Sequence, residues 1–259
     1  MTESREYVRP TVESPVRVTF VGSGDAFGSG GRGQACVHVA GAQASFLVDC
    51  GPSALPAMRR LGVDPNDVEL VLLSHLHGDH FGGLPFLLLD AQLPSRRTRP
   101  LTIAGPASTA ERLQQATEVL FPGAWREHWR FPLEIVELEP ERRNEVARVT
   151  VTPYVVSHPS GAPPLALRIE VGGRVLAFSG DTEWTPVLSS AADGADLLVV
   201  ESYTFDRPVP YHLDYRTLIR HAPDLRAKRL VLTHMSAEML DRVAGLDCEY
   251  AEDGKQLEL

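Results

Sequence analysis

Four side chains able to bind a metal ion, His75, His77, Asp79 and His80, fall within six residues of one another. They lie in the stretch Ser74-His75-Leu76-His77-Gly78-Asp79-His80. Imidazole nitrogens and carboxylate oxygens are the donors a borderline cation such as zinc takes, three or four to an ion. The stretch follows an apolar run, Leu70 to Leu73, that reads as a short buried strand. If extended geometry persists past Ser74, His75 and His77 point to one side, because strands have a period of two. Gly78 can supply an unusual turn angle, and Asp79 and His80 can then open the next segment and face a second ion. A solvated histidine-rich turn would use the same residues; the position straight after an apolar strand argues for the metal.

The theme recurs at three later strand ends. Val151 to Val156 runs into Ser157-His158-Pro159, Arg174 to Phe178 runs into Ser179-Gly180-Asp181-Thr182, and Arg229 to Thr233 runs into His234. Of the nine histidines, His75, His77, His80, His158 and His234 stand at or just past expected strand ends. Strand ends along one edge of a packed sheet open on a single crevice, so ligands far apart in sequence can meet there. Taken alone, His158 would more often be a turn histidine, and Asp181 a helix N-cap or Asx turn. His38, His128 and His221 have no such placement and are assigned no chemistry.

The His-x-His-x-Asp-His pattern resembles the signature of the metallo-beta-lactamase superfamily, and the resemblance runs from Val16 to His234. It implies an α/β fold: a four-layer αββα sandwich of two mixed β-sheets flanked by helices. It also implies a dinuclear centre, with His75, His77 and His158 on one divalent ion, Asp79, His80 and His234 on the other, and Asp181 bridging. Zinc suits this set, and manganese or iron(II) would accept the same ligands. Two such ions roughly 3.5–4 Å apart would lower the pKa of a bridging water and polarise a phosphoryl or carbonyl oxygen.

In the ribonuclease Z branch, a Glu and a His between the bridging Asp and the last metal His form a proton-donating pair. Glu201 and His212 fall in that interval. His212 is the expected general acid, with Glu201 orienting it, and Asp79 is counted with these catalytic residues as well as with the ligands. The plainer readings are a strand-end carboxylate and a surface-loop histidine. Asp49 ends a strand where the family usually has an Asp that supports the metal loop; a simple strand-end turn is the alternative.

The chain departs from ribonuclease Z in one respect. That enzyme usually carries a long arm between the third-motif His and the bridging Asp, used to grip transfer RNA. Here His158 and Asp181 are separated by a short hairpin around Gly172-Gly173. The net charge of −9 also disfavours a large polyanion. The expected function is a metal-dependent hydrolase, a phosphodiesterase acting on a small phosphodiester such as a cyclic nucleotide or a cyclic ribose phosphate. The cyclic phosphodiesterase of phosphonate breakdown is similar, although the cysteine cluster of its structural zinc has no evident counterpart here. Three alternatives stay open: a tRNA 3′-processing endonuclease, a carbon-centred hydrolase (lactonase, β-lactamase or thioesterase), and, from another class, a non-catalytic metal-binding protein.

Composition sets the frame for these residues. The 259 residues are 43% hydrophobic and 23% charged, as expected of a globular enzyme with a substantial core. One metallo-beta-lactamase-like domain over 1–259, with a loose lead-in at 1–14, is expected. Cys36, Cys50 and Cys248 make no disulfide framework and fit a reducing cytoplasm. The start has no apolar leader and no stretch reaches the length of a membrane span; a homodimer is compatible with the relatives.

The elements that must position the site follow from pattern. A hairpin is expected over Ala35–Val39 and Ser45–Asp49, a helix over Pro52–Leu61, and a helix from Leu84 to Leu93. Strand Leu101–Ala104 leads to a helix from Ser108 to Leu120. Strands Phe131–Leu138 and Val146–Val156 flank a polar connector at 139–145. Ala195–Val200 is a strand, Leu218–His221 and Ala237–Val243 are helical, and the end is polar. The glycine-rich loop from Gly22 to Gly31 lacks the Gly-Lys-Ser/Thr of a phosphate loop and reads as a tight loop at the rim of a site. Arg96-Arg97-Arg99 and Arg226-Lys228-Arg229 read as solvated faces. Trp125 and Trp129 either line a substrate mouth or pack into the core.

Overall fold

Residues along the central strands alternate between two buried environments, and this sets the layering. In β3 (Ser45–Val48) Phe46 and Val48 face one cluster and Leu47 another; in β4 (Leu70–Leu72) Leu70 and Leu72 face the first cluster and Val71 the second. A strand buried on both faces reads as an unbroken apolar run, which is why Leu70 to Leu73 shows no polar alternation. The computed structural model describes residues 15–41 and 44–259; the expected lead-in at 1–14 lies outside them.

The first sheet is built by β1 (Arg17–Gly22), β2 (Cys36–Ala40), β3, β4, β5 (Leu101–Gly105) and β6 (Leu133–Glu137). The second is built by β7 (Asn144–Val146), β8 (Val149–Val155), β9 (Leu165–Val171), β10 (Arg174–Phe178), β11 (Leu197–Glu201), β12 (Leu230–Thr233) and β13 (Glu249–Tyr250). Finally β14 (Gln256–Glu258) crosses back to pair with β1, giving spatial orders β14-β1-β2-β3-β4-β5-β6 and β13-β12-β11-β10-β9-β8-β7. Strands β3 to β6 run parallel, β1, β2, β14 and β7 to β9 supply antiparallel pairs, and both sheets are mixed.

The sheets press Phe20, Phe46, Leu72, Val151, Ile169 and Val199 into a shared core. Helices α1 (Ala54–Arg60), α2 (Gly78–Phe81), α3 (Leu84–Gln92) and α4 (Thr109–Leu120) belong to the first-sheet side, where Met58, Leu84 and Leu113 share the second cluster with Leu47 and Val71. Helices α5 (Val187–Ala192), α6 (Tyr215–Leu225) and α7 (Ala237–Val243) cover the other sheet through Leu188, Leu218 and Met239. The expected αββα sandwich is therefore the observed one.

Strand direction explains where the chemistry gathers. Strands β10, β11 and β12 are parallel, and β8 runs with them because β9 opposes both β8 and β10. Their carboxyl ends lead into His158, Asp181, Glu201 and His234.

Some expectations needed correction. The polar connector at 139–145 contains strand β7, which turns into β8 through Ala147 and Arg148, both at positive φ (44° and 67°). A two-residue hairpin turn of that kind normally carries Gly or Asn, so pattern could not find it. The polar end forms β13 and β14, each too short to announce itself and defined by partners far away in sequence. Helix α6 begins at Tyr215, capped by the Asp214 carboxylate accepting from Thr217 N–H, and is longer than its apolar core indicated. Trp125 and Trp129 pack against the α3–α4 cluster.

Arg97 is not on a solvated face: it is 3% exposed. Its guanidinium donates to the carbonyls of Pro65, Asn66, Val68, Arg99 and Pro100, a polar network closed inside the fold. Arg226, Lys228 and Arg229 do reach surface carboxylates, of Asp193, Asp196 and Glu249. Replacing Arg97 with Met should orphan those carbonyls and cost roughly 2–4 kcal/mol in urea unfolding, whereas Arg226→Ala should stay within about 0.5 kcal/mol.

Candidate active site

Asp49 is the buried anchor of the histidine-rich loop. It stands one residue past β3 at φ 59°, a conformation that costs a non-glycine residue of order 1–3 kcal/mol. Its carboxylate accepts from Ser74 N–H (2.8 Å), from Ser74 Oγ–H (2.8 Å) and from His80 Nδ1–H (2.7 Å). Ser74 Oγ in turn accepts from His75 Nδ1–H at 3.0 Å. Both imidazoles thereby spend Nδ1 on this network and turn Nε2 toward the centre. The strand-end turn and the support of the loop are one device.

The structure brings all seven expected ligands together. Donor atoms of His75, His77 and His158 lie within 4.8 Å of one another, and so do those of Asp79, His80, Asp181 and His234. Nδ1 of His77 and Nε2 of His158 are 2.9 Å apart. Asp181 stands between the groups: His80 Nε2 is 3.3 Å from its Oδ1, and His234 Nε2 (3.3 Å), His158 Nε2 (3.9 Å) and His75 Nε2 (4.0 Å) face its Oδ2. Asp79 Oδ2 is 3.3 Å from both His80 Nε2 and His234 Nε2.

These residues fit a pair of divalent ions. The Nε2 atoms of His75 and His80 are fully buried and make no hydrogen bond, although both aim at carboxylate oxygens. Buried polar atoms of this kind call for a partner, and imidazole with carboxylate is the donor chemistry of zinc. Burial, followed by the neighbouring His80 ring, pushes the His75 pKa well below that of free imidazole and favours the neutral ring, the form able to accept a metal. Burial would raise Asp181, but the His234 and His80 rings outweigh it and hold this carboxyl well below the usual range.

Other contacts place the remaining rings. His158 Nδ1–H donates to the carbonyl of Tyr211 at 2.9 Å, leaving Nε2 for the centre. Tyr211 and His234 are both at positive φ (66° and 54°). The His234 backbone N–H donates to Ser23 O at 3.2 Å, so the glycine-rich loop braces the last ligand. Asp253, near the carboxyl end, fixes that loop by accepting from Ser23 N–H and Gly33 N–H. Gly180, at φ 59°, has no room for a Cβ, which would sit 2.9 Å from Leu165 O; the tight approach sets where Asp181 emerges.

Glu201 and His212 also meet. His212 Nδ1–H donates to Glu201 Oε2 at 2.9 Å, and Nδ1 is 4.0 Å from Asp181 Oδ2. Glu201 is fully buried and held by Thr182 N–H on its Oε1, while its own N–H donates to Ser179 Oγ. Burial, then the Asp181 charge, pushes the Glu201 pKa well up, and burial lowers that of His212. Ser74, Thr182, Ser179 and Asp253 have structural parts that pattern reading did not assign. Ser74 and Thr182 adjoin expected ligands and could have been suspected; Ser179 and Asp253 carried no signal.

Residues 45–235 match the Beta-lactamase superfamily domain, and the chain belongs to that superfamily, among the hydrolases of metallo-beta-lactamase fold. A ribonuclease BN of Erwinia tasmaniensis is 27% identical over 260 residues, covering 80% of this chain and 82% of that protein. Among solved structures, the metallo-beta-lactamase fold protein YhfI from Bacillus subtilis superposes with a TM-score of 0.77 at 21% identity, over 95% of this chain and 100% of its own. A diphosphatase from the PhnP family does so with a TM-score of 0.75 at 19% identity, over 94% and 98%. Both structures are similar in fold. No helix among the described residues is long and apolar enough to cross a membrane.

Asp49→Asn keeps the size of the anchor but exchanges a charged acceptor for an amide. It should weaken zinc binding about 10–100-fold in chelator competition without abolishing the folded state.

Proposed function

We propose that the chain is a dinuclear metallo-phosphodiesterase acting on a small phosphodiester. In this reading His75, His77, His158, Asp79, His80 and His234 hold the two ions and Asp181 bridges them. Zinc suits these donors. Bound there, the ions would supply a nucleophilic water near neutral pH and neutralise charge on the phosphoryl group.

The observation that carries the proposal is the Glu201–His212 pair, 2.9 Å apart and set against Asp181. Phosphodiester cleavage expels an alkoxide or phenoxide, which leaves faster when it is protonated. His212 uses Nδ1 on Glu201, so Nε2 is the atom that can deliver a proton. Glu201, pinned by Thr182 N–H, fixes the tautomer and steadies the charged ring. Carbonyl chemistry on a lactone or thioester needs such a donor less, which favours phosphorus as the reacting centre.

Relatives support both size classes: the Erwinia protein is named a ribonuclease, and the PhnP-family structure a diphosphatase. The short hairpin β9–β10 between His158 and Asp181 and the net charge of −9 favour the small substrate. The deciding experiment is a panel of bis-p-nitrophenyl phosphate, cyclic nucleotides, lactones and a pre-tRNA, with metal content assayed. Hydrolysis confined to lactones, or confined to pre-tRNA, would overturn the proposal.

Two outcomes are expected. Exhaustive chelation should remove phosphodiesterase activity and zinc should restore it, read in the same assay. His212→Ala should slow thymidine 5′-phenyl phosphate roughly 10²–10⁴-fold but thymidine 5′-p-nitrophenyl phosphate less than about tenfold, because p-nitrophenolate leaves without a proton. Equal losses would remove His212 from the proton-donating role.

A further inference from the structure

Tyr203 stands two residues beyond Glu201, half-buried, and is not among the residues that sequence pattern assigned to the chemistry. Its ring lies 4.7 Å from the His212 ring at an interplanar angle of 33°, and 6.1 Å from the His234 ring at 43°. The two imidazoles are themselves stacked, 5.8 Å apart at 10°. Its backbone ties the same two segments: Tyr203 N–H donates to Leu213 O (2.8 Å), next to His212, and Ser236 N–H donates to Tyr203 O (2.9 Å), two residues past His234.

A single hydrogen bond through Nδ1 does not fix an imidazole, because the ring can still swing about it. His212 sits on a loop, between Val209 and the Asp214 cap of α6, and is only half-buried. His158 abuts it edge-on, with centroids 4.9 Å apart at 71°, and Tyr203 supplies a broad face on another side. Misplacement of a proton donor by about 1 Å can cost of order 10²-fold.

We propose that Tyr203 is the positioning residue for the proton-donating histidine, its aromatic ring forming the wall that aims His212 Nε2 at the leaving group. This rests on the reading of His212 given above. The ring, not the hydroxyl, does this, so Phe is an adequate replacement and a branched aliphatic side chain is not.

The test uses the zinc-loaded full chain and the same pair of thymidine esters. Tyr203→Leu should lower kcat on the phenyl ester about tenfold with less effect on the p-nitrophenyl ester, and Tyr203→Phe should stay within about threefold of wild type on both. In the His212→Ala background, adding Tyr203→Leu should cost nothing further on the phenyl ester, as expected when one residue acts only through the other. A Phe variant as damaged as Leu, equal losses on both esters, or full additivity in the double variant each overturns the proposal while leaving His212 in its role. Loss of the ester bias in His212→Ala alone overturns the reading of His212, and the role of Tyr203 with it. Thermal melts show whether Tyr203→Leu folds; if it does not, the Phe comparison and the imidazole NMR signals of His212 in that variant still decide the matter.

Discussion

Carboxylates buried at one edge of two packed sheets must be compensated, and the organisation of this protein follows from that requirement. Asp49, Asp181 and Glu201 are all but sealed from solvent, with Asp79 beside them. Stranded negative charge in such a place is costly. The chain answers with five imidazoles, with backbone and hydroxyl donors, and with geometry suited to two divalent cations. Each carboxylate has its own solution. Asp49 takes three hydrogen bonds, Asp181 is ringed by histidines, and Glu201 takes a proton-bearing partner and the N–H of Thr182.

Rigidity is the other half of the design. The candidate ligands sit at or just past the ends of strands whose two faces are buried, so their Cα positions are inherited from the core. Among the described residues nine non-glycine side chains stand at positive φ, and three of them, Asp49, Tyr211 and His234, border the site. Each of the three makes a hydrogen bond there: Asp49 through its carboxylate, Tyr211 through its carbonyl and His234 through its backbone N–H. Local strain of this kind persists only where surrounding packing over-determines it. The Ser23–Asp253 link joins the glycine-rich loop to the segment that follows β13, and Ser23 in turn holds the backbone of His234.

The two sheets contribute unequally to the site. His75, His77 and His80 come from one loop anchored on the first sheet, while His158, Asp181, Glu201, His212 and His234 come from connections of the second. The crevice between the sheets is where the halves meet. The rings of His212, His234 and Tyr203 make a small aromatic cluster on the second-sheet side, next to the Glu201 carboxylate.

Much of this was legible in the sequence because the chemistry is local. The candidate ligands His75, His77, Asp79 and His80 share one turn, and His158, His234 and Asp181 each follow an apolar strand; residue type and strand ends nominated them once read beside the family resemblance of the first motif. The sandwich could be expected only through the family that the motif resembles. Tertiary structure alone decided the rest. It decided that Arg97 is interior, because its carbonyl partners come from several turns of chain. It decided that β13 and β14 exist, because strands so short are defined only by the partners they meet, and that β7 exists, because its turn into β8 carries neither Gly nor Asn. It decided, too, that Asp253 secures the glycine loop and that Tyr203 faces His212. A motif records which groups can bind or donate; which neighbour fills the remaining space around them is fixed by packing, and packing joins residues that the sequence keeps far apart.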